Sequence, residues 1–257
     1  RISFNGSCYT WGALTPCLDV YPVDADLSLW DEYAKTKRTG VVNKEFLDRW
    51  VAEKYPNTTD DEKNRNRNNV NYGFHILTGN PTDVLVYTNA RGVRFDTPEG
   101  QTFLDEWHRD AFSTRVWPRG GGVAYDLNPG QSFRDYAMWF YRKMYDTFVD
   151  HIYWDDVFLQ SCFDVVGSEA YELPDGRIQP ASGIFDMREL IRRTAVLKHE
   201  LGKGSGRMEQ PHITNTAIAP ILSFAGSHLT WEDRSGTRDF QDRFPLDYIR
   251  TESIGRQ

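Results

Sequence analysis

Three cysteines in 257 residues, Cys8, Cys17 and Cys162, are too few and too unevenly spaced for a disulfide framework or a zinc-ligand cluster. They read as three thiols, with a single Cys8–Cys17 bridge as the alternative. Positive charge is also scarce: 30 Lys and Arg stand against 37 Asp and Glu, a formal net charge of -7. A nucleic-acid or anionic-membrane partner needs a basic stripe that this balance does not supply, so neutral or weakly charged ligands fit better. No apolar run is long enough to cross a bilayer, which sets membrane insertion aside. There is no HExxH or other close-spaced ligand motif, no internal repeat of fixed period and no low-complexity tract. The glycines at Gly120, Gly121 and Gly122 precede a strand-like segment rather than follow one, so they do not form a phosphate-cradling loop, and no organic cofactor is expected.

What is present points towards one large core. A hydrophobic content of 39% over this length matches a single α/β domain spanning residues 1–257. Aromatic residues make up 14%, with eight Trp and thirteen Tyr, enough either for an aromatic-rich core or for the stacking surfaces that sugars use. Two glycosylation sequons, Asn5-Gly6-Ser7 and Asn57-Thr58-Thr59, are common by chance and leave the compartment open, leaning to secretion or the periplasm. The abrupt start at Arg1, ahead of a strand-like segment, suggests a piece of a longer protein.

Strand-like and helix-like segments alternate as in parallel sheets built from βα units. Strands are expected at 2–5, 83–88, 122–126, 151–155, 212–214, 228–231 and 247–251. The segments at 122–126, 151–155, 212–214 and 228–231 are expected side by side and parallel in one sheet. Phe133, Ala137, Phe140, Met144 and Phe148 recur at helical spacing behind a capping box opened by Ser132 and Asp135. Thr97-Pro98 opens a helix before Phe103, Leu104 and Trp107. Asn43 opens another before Phe46, Leu47, Trp50 and Val51. Met187, Leu190, Ile191 and Leu201 form a further stripe that stops at Gly202. The Asn-dense stretch 57–71 reads as an exposed loop. The fold class is α/β, a (β/α)8 TIM-type barrel, incomplete or part of a longer chain. Its missing eighth strand could hide at 74–77, and an open doubly wound sheet is the alternative.

In such barrels the chemistry stands at the carboxyl ends of strands, and here those ends are polar. The segment Asp150-His151-Ile152-Tyr153-Trp154-Asp155-Asp156 is the strongest signal, a hydrophobic strand ending in adjacent carboxylates that alternation sends in different directions. Glycosidic cleavage needs one carboxyl to protonate the leaving oxygen and another to attack, to position water or to steady an oxocarbenium ion. Asp155 and Glu232 are the expected pair, with Asp156 supporting. Trp154, Trp231, Tyr87, Asn89, Arg91, Tyr125, Asp126, His212, Asn215, Asp233 and Glu252 are candidate substrate contacts. Asp155, Asp156, His212 and His228 also contain the residue types of a hydrolytic metal site. A metal-dependent hydrolase is therefore kept as the less favoured alternative, beside a non-catalytic carbohydrate-binding barrel, and no metal is expected. The expected partner is an oligosaccharide or polysaccharide.

At these residues the chain resembles a known group. The 150–156 run, with His212-Ile213-Thr214-Asn215, Ser223-Phe224-Ala225, Trp231-Glu232 and Asp239-Phe240-Gln241-Asp242-Arg243-Phe244, is similar to the catalytic barrels of glycoside hydrolases related to family 123. The similarity runs from about the third strand to the C-terminus. It implies an Asp-Glu pair after strand four, in which Glu is the acid and Asp steadies the substrate's own 2-acetamido nucleophile. The matching positions are Asp155 and Asp156, and the second carboxylate is one methylene shorter than that scheme asks for. The segment also resembles barrel glycosidases that place an aspartate nucleophile at the position of Asp155 and an acid after strand six, where Glu232 or Asp233 stands.

Overall fold

The computed structural model of the chain describes residues 28–54, 56, 59–78, 85–94, 98–110, 114–116, 123–203, 209–213, 218–229, 239, 242 and 244–252. Three helices come first: α1 (Ser28–Thr39), α2 (Lys44–Lys54) and α3 (Asp60–Thr78). The Asn43 side chain accepts the Phe46 N–H at 3.0 Å, the helix cap the sequence implies, and Phe46, Leu47, Trp50 and Val51 are buried behind it. The Asn-dense stretch is no loop. From Asp60 it is the body of α3, because acidic residues favour the first turn and the distal turns bury Phe74 and Leu77 in the core. The same burial removes the strand expected at 74–77.

The described parallel sheet has three strands in the order β1 (Leu85–Asn89), β5 (His151–Asp155) and β8 (Gln210–Pro211). Leu85 pairs with His151 and Asn89 with Asp155, so the two longer strands begin and end at the same level. A parallel bridge from His212 to Leu229 extends the order on the β8 side, near the strand expected at 228–231. Two short helices, α4 (Pro98–Thr102) and α5 (Leu104–Trp107), follow β1; α6 (Gln131–Tyr145) then crosses from β1 to β5, and α7 (Ile184–Glu200) from β5 to β8, giving the βαβ units that parallel pairing demands. A closed eight-stranded barrel is not present among the described residues.

The strand at 122–126 departs from expectation. As β4 (Val123–Asp126) it lies in a second, antiparallel sheet between β2 (Gly92–Arg94) and β3 (Thr114–Val116), pairing Gly92 with Asp126 and Thr114 with Tyr125. The chain turns at Ala90–Arg91 directly beyond β1, and this excursion occupies the connection before α6. Short apolar runs carry no sign of parallel or antiparallel pairing. The segment expected as a strand at 247–251 belongs to a helix, Leu246–Glu252, that starts behind Pro245. The strand expected at 2–5 lies outside the described residues, as do Cys8 and Cys17.

Side-chain alternation along the strands divides the core. Val86, Ile152 and Trp154 face Phe133, Ala137, Phe140, Tyr141 and Met144 of α6 and Met187, Leu190 and Ile191 of α7. Leu85, Tyr87 and Tyr153 form a smaller cluster on the opposite face. The capping box does not form: Gly130 precedes the first turn of α6, and Ser132 donates instead to Glu106 while accepting from the Trp107 indole. The apolar stripe holds regardless, since the burial of its residues outweighs one cap. Helix α7 stops at Leu201, and Gly202 follows at φ 64°, the left-handed exit that glycine permits. Between β5 and α7 the chain carries a hairpin, β6 (Tyr171–Glu172) with β7 (Ile178–Gln179).

At the amino end of the parallel sheet lies a buried polar lock. The Glu209 carboxylate, 2% exposed, accepts the Tyr145 hydroxyl at 2.7 Å and the Ile152 N–H at 2.8 Å, and the Lys198 ammonium lies 3.3 Å away. Lys198 is also 2.5 Å from His151 Nδ1. The last turns of α6 and α7, the start of β5 and the approach to β8 therefore meet on one carboxylate. Glu209→Ala would remove the buried carboxylate that Lys198, the Tyr145 hydroxyl and the Ile152 N–H share, and should cost about 3–5 kcal/mol in denaturant unfolding. Burial, reinforced by Glu209, raises the Tyr145 phenol well above its ordinary 10.0. Its contribution to stability is therefore whole below that value and is lost as pH rises beyond it, where the unfolded tyrosine ionises. Tyr145→Phe should flatten this alkaline decline in unfolding experiments run across the alkaline range.

Candidate functional site

The carboxyl ends of β1 and β5, with His212 just beyond β8, meet on one acid. Asp155 is the last residue of β5, on the strand face shared by His151 and Tyr153, and its side chain is 21% exposed. The Tyr87 hydroxyl donates to Asp155 Oδ2 at 2.5 Å, His212 Nδ1 lies 2.7 Å from Oδ1, and the Asp156 N–H donates to Oδ1 at 2.9 Å. Burial alone would push this carboxyl up. The hydrogen bonds from His212 and Tyr87, the electrostatic pull of His212 and the Asp156 N–H together hold it below the ordinary carboxylate value of 3.8. Asp155 is thus kept ionised and partly accessible at the mouth of the sheet.

The expected substrate contacts divide sharply. Trp154 alternates away from Asp155 and is fully buried, its ring edge-on to Tyr141 at 4.9 Å, so it has no face to offer a sugar. Tyr87 is buried against Tyr153 with ring centroids 5.7 Å apart, and its hydroxyl is used on Asp155. His212 is likewise buried beside Asp155. Asn89 and Arg91, both fully buried, hold backbone and Asp156 rather than an open pocket. Tyr87, Asn89, Arg91 and His212 each spend hydrogen bonds on neighbouring residues, which strand position alone does not reveal.

Asp126, at the end of β4, lies 3.6 Å from Arg109, which also approaches Asp110 at 3.2 Å and donates to the Ser161 carbonyl at 3.1 Å. This ties the antiparallel excursion to the loop after β5. Tyr125 belongs to β4, but its side chain lies outside what is described, as does that of Glu252 in the helix Leu246–Glu252. Glu232, Trp231, Asp233 and Asn215 lie outside the described residues altogether. His228 is buried, and burial lowers its pKa, which favours the neutral ring. Among the described residues no three His, Cys, Asp or Glu side chains converge as a metal ion would require.

Sequence reading misses the roles of Tyr87 and His212 as clamps on one carboxylate. The signal was the pairing itself: a tyrosine, an aspartate and a histidine at the ends of neighbouring strands. Chemically, an ionised carboxylate with three fixed donors is suited to attack, or to steady a cation, and unsuited to giving a proton.

No known protein family matches the sequence, and no curated protein does. Among solved structures the chain is similar to an α-galactosidase from Thermus thermophilus in complex with stachyose, at 15% identity over 70% of this chain and 33% of that one, with a TM-score of 0.39. It is similar to Ega3 of Aspergillus fumigatus in complex with galactosamine, at 13% identity over 61% of this chain and 53% of that one, with a TM-score of 0.37. It is also similar to a family 36 α-galactosidase from Geobacillus stearothermophilus in complex with raffinose, at 10% identity over 65% of this chain and 22% of that one, with a TM-score of 0.40. The chain therefore spans at most 53% of the length of these three. Two of these three are α-galactosidases, and none is described as a family 123 enzyme.

Proposed function

We propose that the chain is the catalytic part of a (β/α)-barrel glycoside hydrolase acting on an oligosaccharide or polysaccharide, with Asp155 as nucleophile or charge-stabilising base and Glu232 as general acid. The observation that carries this reading is the Asp155 carboxylate, partly open and held ionised by Tyr87, His212 and the Asp156 N–H. A carboxylate so held can attack the anomeric carbon or face the developing oxocarbenium charge, and a second carboxyl must then protonate the leaving oxygen. Glu232 is proposed for that second role because it follows the segment that bridges to His212, two positions along the sheet from β5. The substrate-assisted scheme of family 123 would need Asp156 as the acid. The bond from Asn89 to Asp156 Oδ2 at 2.7 Å favours the Asp155 and Glu232 assignment instead.

Turnover of a panel of 4-nitrophenyl glycosides tests the proposal. Asp155→Asn should lower kcat by several orders of magnitude while thermal unfolding stays close to wild type. Glu232→Gln should cost about a hundred- to ten-thousand-fold on a poor leaving group and far less on an activated aryl one, which departs without protonation. Near-normal turnover by Asp155→Asn sinks the assignment, and saccharide binding with no turnover by the wild type identifies a carbohydrate-binding barrel. In a saccharide complex, a carboxyl separation of about 5–5.5 Å would report retention and about 6.5–9.5 Å inversion.

The pH profile supplies a separate check. Activity should be present above the pKa of Asp155 and fall as pH drops through it. Removing one donor with Tyr87→Phe raises that pKa, so the acid limb of kcat/KM should move to higher pH. An unmoved limb would mean that another group sets it.

A further inference from the structure

The residue after Asp155 has an unusual backbone. Asp156 has φ 58°, the one positive φ outside glycine among the described residues. Aspartate tolerates the left-handed region better than most side chains, and such positions persist only where the surroundings hold them. Here the surroundings are identifiable, and they come from the end of β1. Asn89 donates from Nδ2 to Asp156 Oδ2 at 2.7 Å, and its own Oδ1 accepts the Arg91 N–H at 2.8 Å. The fully buried Arg91 guanidinium donates to the carbonyls of Asp156 at 3.1 Å and of Phe158 at 2.6 Å. On either side the strands are still paired: the Ala90 N–H reaches the Asp155 carbonyl at 3.0 Å, and the Val157 N–H reaches the His212 carbonyl at 3.1 Å. The left-handed φ at Asp156 lets the chain pass between these two pairings, and with both flanks held the peptide between Asp155 and Asp156 is fixed with its N–H on Asp155 Oδ1.

We propose that Asp156 is a positioning residue that serves Asp155 through its main-chain N–H, its left-handed turn being held by Asn89 and Arg91. The inference rests on Asp155 as the working carboxylate and deepens that reading. The second carboxylate of the Asp-Asp pair then secures geometry by accepting from Asn89, and it transfers no proton. The requirement at position 156 is a residue that accepts a positive φ, which asparagine and glycine satisfy and a β-branched residue does not.

The experiment compares Asp156→Asn, Asp156→Gly and Asp156→Val in the full chain. The readouts are titration of Asp155 by carboxyl-¹³C NMR, its resonance assigned by loss in Asp155→Asn, and kcat on 4-nitrophenyl glycosides. Asp156→Val should move the Asp155 titration to higher pH and lower kcat by about a hundredfold with a much smaller change in KM, the scale expected when a reacting group is misplaced by about 1 Å. Asp156→Asn and Asp156→Gly should keep the titration near wild type and recover at least about tenfold of that loss. The proposal is overturned if Asp156→Asn and Asp156→Gly lose as much activity as Asp156→Val while the Asp155 titration stays put, since the carboxyl itself would then be needed. If Asp156→Val does not fold, a shifted Asp155 titration in the two milder variants overturns it equally. If the wild type cleaves none of the glycosides, the glycosidase reading fails, and the titrations alone still decide the role of Asp156.

Discussion

The parallel pairing of β1 with β5, in the register that sets Asn89 beside Asp155, is the constraint on which the rest of the site depends. Parallel strands in register end at the same level, so the residues at and just past their ends are compelled to share one small volume. From β1 that volume receives the Tyr87 hydroxyl, the Asn89 amide and the Arg91 guanidinium. From β5 it receives Asp155 and the turn at Asp156. A slip of one residue would send Tyr87 and Asp155 to opposite faces of the sheet. Buried apolar contacts on the helix side, among them Trp154 against Tyr141, fix that register energetically.

Much of this frame was legible in the residues. The stripe of α6, the cap at Asn43, the stop at Gly202 and the strand ending in Asp155 all carry local periodicity or a specific stereochemical demand. What misled was information of longer range. The Asn and Asp content of α3 argues locally for a loop, and the burial of Phe74 and Leu77 overrides it. The antiparallel placement of β4 depends on the turn after β1, which no pattern within residues 122–126 encodes. At the site, polar residues at strand ends read as ligand contacts. Tyr87, Asn89, Arg91 and His212 make hydrogen bonds to two aspartates or the backbone beside them, because a buried donor must find an acceptor and the nearest ones belong to the neighbouring strand. The acid proposed at Glu232 stays a reading of sequence alone.

The antiparallel excursion also bears on how the site is bounded. Arg109 joins Asp126 on β4 to the carbonyl of Ser161 in the loop that follows β5, and Asn128 joins the end of that excursion to Asp186 in the first turn of α7. Connections from two successive strands are therefore cross-braced above the sheet. The close approach of Gly167 to the Glu106 carbonyl, where an added Cβ would sit 1.8 Å from that oxygen, is part of the same bracing. Variation in these loops is restricted by each other as well as by any ligand.

The segment from Glu209 to His212 is only four residues long, yet it has the buried lock at one end and the Asp155 clamp at the other. Both β5 and the two helices that lock onto Glu209 are made earlier in synthesis. In order of synthesis Tyr87 and Asp155 both precede His212, and Lys198 precedes Glu209. One tetrapeptide thus supplies both the Glu209 carboxylate that Lys198 faces and the His212 ring beside Asp155. A chain cut before residue 209 would lack both contacts at once, so these four residues tie the closing of the buried lock to the closing of the cluster around Asp155.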